Sequence, residues 1–187
     1  MVVKSWYSII QKRNTLEMIN FIVSLKSPAV SNDWTLVSKI CLRTLRAICQ
    51  QSSDDYHCYL VCDEPPLDCF EHPHLTVVQK DFPVPDVKDR PALMHNKFLK
   101  LAHGMAEARA KGDAYVMPVD MDDLIHRDVA KYVSSQAVSN GWVINKGYIY
   151  DEGSCTIFYT PSKINQLCGT SYIVYLKKHE FPQTGDE

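Results

Sequence analysis

No run in this chain approaches the roughly 20 apolar residues that a membrane-spanning helix needs, and the opening Met1-Val2-Val3-Lys4-Ser5 lacks the charged-then-apolar layout of a signal peptide. A cytoplasmic protein with no transmembrane segment is expected. The chain has no excess of one charge either: 20 Lys and Arg stand against 22 Asp and Glu, a formal net charge of −2. No global field therefore draws it onto nucleic acid or an anionic bilayer. It has no close Cys-x-x-Cys pair, no internal repeat and no low-complexity stretch. Nor does it have the glycine-rich loop near the amino terminus that cradles phosphates in nucleotidyl transferases.

What is present is the composition of a globular domain, 45% hydrophobic and 22% charged over 187 residues, enough for one domain with a full core. The seven cysteines are odd in number and spread among apolar neighbours, which points to free thiols in a reducing compartment. One segment gathers His57, Cys58, Cys62, Cys69, His72 and His74, residue types that can hold zinc. Cys58 and Cys62, four apart in an apolar run, read more simply as small core residues on one face of a strand.

Along the chain, Ser5–Ile10 reads as a first buried strand and Thr15–Lys26 as a short helix. Asn32 or Asp33 can cap a helix running from Trp34 to Gln50, whose inward stripe is Val37, Cys41, Thr44, Leu45 and Ile48. Tyr56–Cys62 and Leu75–Gln79 read as strands, each stopped by a proline-containing segment. A helix over Pro91–Lys111 follows, with Asp89 near its cap, Gly112 past its end and an apolar face at Met94, Phe98, Leu101, Met105 and Ala108. Ala114–Val119 is a short buried strand, Arg127–Ser134 a short helix, and Trp142–Asn145, Tyr148–Tyr150 and Cys155–Tyr159 are strands. Helices alternating with strands early and hairpins late predict an α/β fold, a mixed sheet with helices on both faces.

The informative segment is Tyr115-Val116-Met117-Pro118-Val119-Asp120-Met121-Asp122-Asp123, which sends three carboxylates out of the end of a hydrophobic strand. Carboxylates this close repel and resist desolvation unless a cation or ligand donors compensate. Hard oxygen ligands suit Mg²⁺ or Mn²⁺, which bind through one or two carboxylates plus substrate phosphates. The plainer alternative is a solvated acidic turn or helix cap. His126 is either a further polar contact there or a residue at the start of the next helix. Trp142, Tyr148 and Tyr150, near Asp151, could stack on a sugar ring, though alternating aromatics in a strand also serve packing.

Polar residues ending a first strand, Asp63 after the next one, and a helix Pro91–Lys111 leading into Asp120-Met121-Asp122-Asp123 together resemble the nucleotide-binding half of GT-A glycosyltransferases, particularly family 2-like ones. The likeness covers roughly Ser5–Ser134, with weaker similarity at Gly147-Tyr148 and Cys168-Gly169-Thr170-Ser171. It implies a GT-A-like, Rossmann-like three-layer α/β/α domain over residues 1–187, with a nucleotide-binding part (1–134) and a short acceptor-side part (135–187). It implies transfer of a sugar from a UDP- or GDP-type nucleoside diphosphate to an acceptor. Asp122 would ligate Mn²⁺ or Mg²⁺ with Asp120 and Asp123 beside it. Asp120 would contact ribose or a metal-bound water, Asp63 the base or ribose, and Arg13 would lie near the nucleotide. By position Arg90 and Lys97 could meet the diphosphate, or be solvated helix charges. An inverting enzyme would also need a general base, for which Asp151, Glu152, His179 and Glu180 are candidates. The alternatives are a non-catalytic or truncated nucleotide-binding relative and a sugar nucleotidyltransferase. A phosphatase fits worse, because its acidic motif would follow the first strand.

Overall fold

The computed structural model describes residues 18–151 and 153–185. The strand expected over Ser5–Ile10 lies outside them, as do Arg13 and Glu152. The described residues form eight strands and three α-helices: β1 Ile19–Ser24, α1 Trp34–Ile48, β2 Tyr56–Cys62, β3 Leu75–Gln79, α2 Arg90–Ala108, β4 Ala114–Asp120, α3 Val129–Ser135, β5 Gly141–Val143, β6 Gly147–Tyr150, β7 Ile157–Thr160 and β8 Tyr172–Leu176.

β1 corrects the helix expected over Thr15–Lys26. Its sequence, Ile-Asn-Phe-Ile-Val-Ser, is buried at all six positions, and a strand covered on both faces shows a continuous apolar run instead of an alternating one. Such a run cannot be told from a buried helix by periodicity; its β-branched residues and position between two partner strands settle it. β8 has no counterpart among the expected elements.

Six strands form one sheet in the order β3-β2-β1-β4-β8-β5; β6 and β7 form a separate hairpin. The first four are parallel, while β8 runs antiparallel to both β4 and β5. The result is a mixed, mostly parallel central sheet with helices on both faces.

Strand alternation sorts the core into two clusters. On one face Phe21, Val23, Cys58, Leu60, Cys62, Tyr115 and Met117 pack with Cys41, Leu45 and Ile48 of α1 and Ala130 and Val133 of α3. On the other, Ile22, Tyr59, Val61, Ala114 and Val116 pack with Leu101 and Ala108 of α2. Each fully buried Phe, Leu, Ile or Val side chain contributes about 1.5–3 kcal/mol of transfer free energy. Cys58 and Cys62 sit in the first cluster as small core residues; all seven cysteines are free. No group of three or more His, Cys, Asp and Glu side chains able to hold a metal occurs among the described residues. His57 instead hydrogen-bonds Thr76 at 2.8 Å, and His74 stacks on Tyr56.

The caps follow their sequence signals. Asp33 accepts from the Leu36 amide at 2.9 Å, Asp89 from the Ala92 amide at 3.3 Å, and Gly112 takes φ 99° past the turn that ends α2. The inward face of α2 differs from the expected one. Met94 and Phe98 are exposed, while Lys100, Leu101, His103, Gly104 and Ala108 are buried. Gly104 sets this orientation: a Cβ there would lie 2.4 Å from Ile22 Cγ2 and 3.0 Å from Val61 Cγ2, so the helix backbone can lie directly on the sheet.

Candidate functional site

β1 leads through α1 to β2 on one side, whereas α2 carries the chain across to β4 on the other side of β1. The connections therefore diverge between β1 and β4. In open α/β sheets that switch point opens a crevice beyond the carboxyl ends of the strands. Ser24 and Asp120 are paired at the carboxyl ends of β1 and β4. A cleft of about 300 Å³ opens there, lined among others by Ser24, Lys26, Asn96, Lys97, Lys100, Asp120 and Asp122.

Of the carboxylates at this edge, Asp63 and the turn residues Asp120, Asp122 and Asp123 bear on the cleft, and three of these four are engaged among the described residues. Lys100 Nζ donates to Asp63 Oδ2 and to the Leu25 carbonyl oxygen at 2.8 Å. The Lys100 side chain is only 1% exposed, and its Nζ lies 5.1 Å from the Phe82 ring centroid. A buried ammonium survives only with partners, so Asp63 and Leu25 tie the ends of β1 and β2 to the middle of α2.

Lys97, one turn earlier, donates to Asp120 Oδ1, with side chains 30% and 29% exposed. Both remain open to the cleft. The Asp120 amide donates to Thr170 Oγ1 at 2.8 Å, and Cys168 Sγ donates to Asp123 Oδ2 at 3.0 Å. Burial and that hydrogen bond push the Cys168 thiol up to about 11. Gly169 lies between these two contacts; a Cβ on it would fall 3.2 Å from Asp120 Oδ2 and 3.7 Å from Lys97 Nζ. Only a residue without a side chain leaves the Lys97–Asp120 pair open on this side.

Asp122 is the fourth carboxylate. It lines the cleft mouth without a side-chain partner among the described residues. Partial desolvation, then the adjoining Asp123 and Asp120 carboxylates, hold its pKa above the usual range. Its backbone hydrogen bond and the nearby Lys97 pull the other way without cancelling that rise.

The remaining expected residues divide by geometry. Arg90 is exposed in the first turn of α2 and does not line the cleft. Asp151 is exposed at the hairpin tip, between β6 and β7. His179 and Glu180 follow β8 to the opposite edge of the sheet, where the Lys178 amide bonds Asp113 at 2.7 Å and the Lys177 amide bonds Glu180 at 2.7 Å. The structure does not bring them to Asp120. His126 is exposed and serves the loop before α3, its Nδ1 accepting from the Asp128 amide at 3.2 Å. Trp142 packs on Tyr115 and Tyr132 with ring centroids 4.9 and 5.7 Å away, whereas Tyr148 and Tyr150 stand exposed on the hairpin. The three do not form one wall.

Sequence reasoning assigned no role to Lys100 or to the side chains of Cys168 and Thr170. Lys100 had a signal, a lysine at i+3 from Lys97 and therefore on the same helical side. Thr170 and Cys168 reach the site only because β8 pairs with β4, 50 residues after Asp120 in the case of Thr170. No described helix is long and apolar enough to cross a membrane. No protein-family model matches the chain, and no curated protein matches it.

Proposed function

We propose that the cleft between β1 and β4 binds a nucleoside diphosphate sugar of the UDP or GDP type, and that the protein is a GT-A-like glycosyltransferase. The observation that carries this reading is the acidic turn Asp120–Asp123 at the carboxyl end of β4, beside the crevice between β1 and β4 and paired with Lys97 of α2 through Asp120. A diphosphate needs positive charge and open backbone around it, and the cleft offers Lys97 and Lys26 beside Ser24 and Asn96. A strand order that diverges beside β1 is the arrangement in which nucleotides bind across the crevice.

The carboxylates fit a divalent ion held jointly by protein and ligand. Asp122 has no side-chain partner among the described residues and its oxygens are hard donors, with Asp120 near it along the turn. With no group of three protein ligands among the described residues, diphosphate oxygens and water would fill the remaining positions of Mg²⁺ or Mn²⁺. Such an ion supplies neutralisation of the charge that develops on the departing diphosphate. The residues around it orient and neutralise: Lys97 faces the phosphates, and Thr170 fixes the backbone from which Asp120 projects. Asp63, tied to Lys100, stands at the β2 end, where a base or ribose would lie.

A second reading, a relative that binds nucleotide without turnover, is favoured by one observation: His179 and Glu180 stand at the far edge of the sheet. The test is calorimetric titration of UDP and GDP, with and without Mn²⁺, into the wild type and Asp122→Ala. Metal-dependent binding lost in Asp122→Ala is the expected result, and absence of binding to either nucleotide overturns the site. Donor hydrolysis or sugar transfer by the wild type separates the enzyme from the binding relative.

A further inference from the structure

We infer that Lys97 acts as a resident counter-ion that masks Asp120 in the ligand-free protein and is handed to the diphosphate on binding, so that metal and diphosphate bind as a linked pair. This rests on the diphosphate-binding reading of the cleft and specifies how that site is gated.

The two lysines of α2 differ in the way such an exchange requires. Lys100 is 1% exposed and holds Asp63 together with the Leu25 carbonyl, so it is a fixed part of the framework. Lys97 is 30% exposed, lines the cleft and has one carboxylate partner, Asp120, itself 29% exposed. An ion pair this open to water is worth about 0–1 kcal/mol net, weak enough for a dianionic ligand to compete for the ammonium. The backbone of Asp120 does not depend on that pair, because Thr170 Oγ1 anchors its amide at 2.8 Å. Gly169 puts no side chain against the pair, where a Cβ would lie 3.2 Å from Asp120 Oδ2 and 3.7 Å from Lys97 Nζ.

Charge balance then dictates the linkage. A divalent ion arriving alone meets Asp122, which has no side-chain partner among the described residues, an Asp120 shared with an ammonium, and an Asp123 occupied by the Cys168 thiol. It also meets the repulsion of Lys97 itself. A diphosphate arriving alone is attracted by Lys97 but repelled by the three carboxylates of the turn. When both arrive, Lys97 moves to the phosphate oxygens, Asp120 is released to the metal, and each ligand removes what opposed the other. Such coupling is reciprocal and typically amounts to 5–150-fold in affinity.

The test measures Mn²⁺ binding by loss of its free-ion paramagnetic resonance signal, and inorganic pyrophosphate binding by calorimetry. Each is done alone and with the other present, in wild type, Lys97→Met and Lys97→Arg. In the wild type each ligand should tighten the other at least ~5-fold. Lys97→Met should bind Mn²⁺ alone about tenfold more tightly than wild type and pyrophosphate about tenfold more weakly, with the coupling reduced. Lys97→Arg should restore the wild-type order. A purely structural lysine would weaken both ligands in Lys97→Met, and that result overturns the inference, as does equal Mn²⁺ affinity in wild type and Lys97→Met. If metal-dependent UDP or GDP binding persists in either case, only the masking role fails. If the wild type binds neither nucleotide nor pyrophosphate under any condition, the diphosphate site itself fails.

Discussion

Strands β2 and β7 are made of similar material and end in opposite surroundings. Tyr56–Cys62 and Ile157–Thr160 are both rich in aromatic and β-branched residues, yet β2 is buried at six of its seven positions while three of the four in β7 are exposed. β2 is hydrogen-bonded on both edges, by β1 and β3, and lies between the α1 and α2 layers; among the described residues β7 pairs only with β6. Strand propensity made both segments extended, and tertiary cover alone distinguishes them. The difference also separates roles: the covered strands hold the acidic turn in register, and the hairpin contributes no residue to the cleft wall.

The largest effect is expected where β2 is most enclosed. Leu60→Ala removes a fully buried side chain and should cost about 2–5 kcal/mol, read as a lowered denaturant midpoint at constant slope. A cost comparable to that of a hairpin substitution would break the comparison. Next comes the polar edge of the same region. Asp63→Ala leaves the Lys100 ammonium buried with the Leu25 carbonyl as its remaining hydrogen-bond partner among the described residues, and should destabilise by about 3 kcal/mol. Lys100→Met, which removes the buried charge itself, should cost clearly less in the same unfolding experiment. The smallest effect belongs to the hairpin. Phe158→Ser, at a side chain 58% exposed, should change stability by no more than about 0.5 kcal/mol. A loss above 1 kcal/mol in that variant would show that the hairpin is covered in solution.

The same contrast explains which parts of the molecule were legible in the sequence. β2, β3 and β4 announced themselves because compact runs of strand formers end in Pro, Asp and Glu, and their bounds emerge nearly as expected. β1 did not, since a strand buried on both faces has no alternation and Ile19–Ser24 follows a stretch that reads as helical. α2 was located correctly and its inward face in part. Of the apolar series Met94, Phe98, Leu101, Met105, Ala108, the last three pack on the core and the first two are exposed, while Lys100 and Gly104 also turn inward, where Gly104 permits close approach to Ile22 and Val61. Lysines turned towards a sheet are themselves a site signal, and hydrophobic patterning passes over them by construction. The places of Asp120, Asp122 and Asp63 at the carboxyl edge of the sheet were legible because Asp120 ends β4, Asp122 follows it and Asp63 follows β2. Thr170 and Cys168 were not, because their nearness to the acidic turn depends on a strand pairing that no local pattern encodes.

The insertion of β8 between β4 and β5 has a consequence for biosynthesis. Domains assemble from the amino terminus as the ribosome delivers them, at about 5–20 residues per second. The parallel strands β1 to β4 can therefore associate while the last third of the chain is still untranslated. Asp120 gains its Thr170 anchor only after Tyr172–Leu176 has left the exit tunnel and threaded into place beside β4. A nascent chain stalled before that point would already carry its acidic turn, but without the clasp that steadies it. The Thr170 clasp on Asp120 thus forms some seconds after the turn itself has been made.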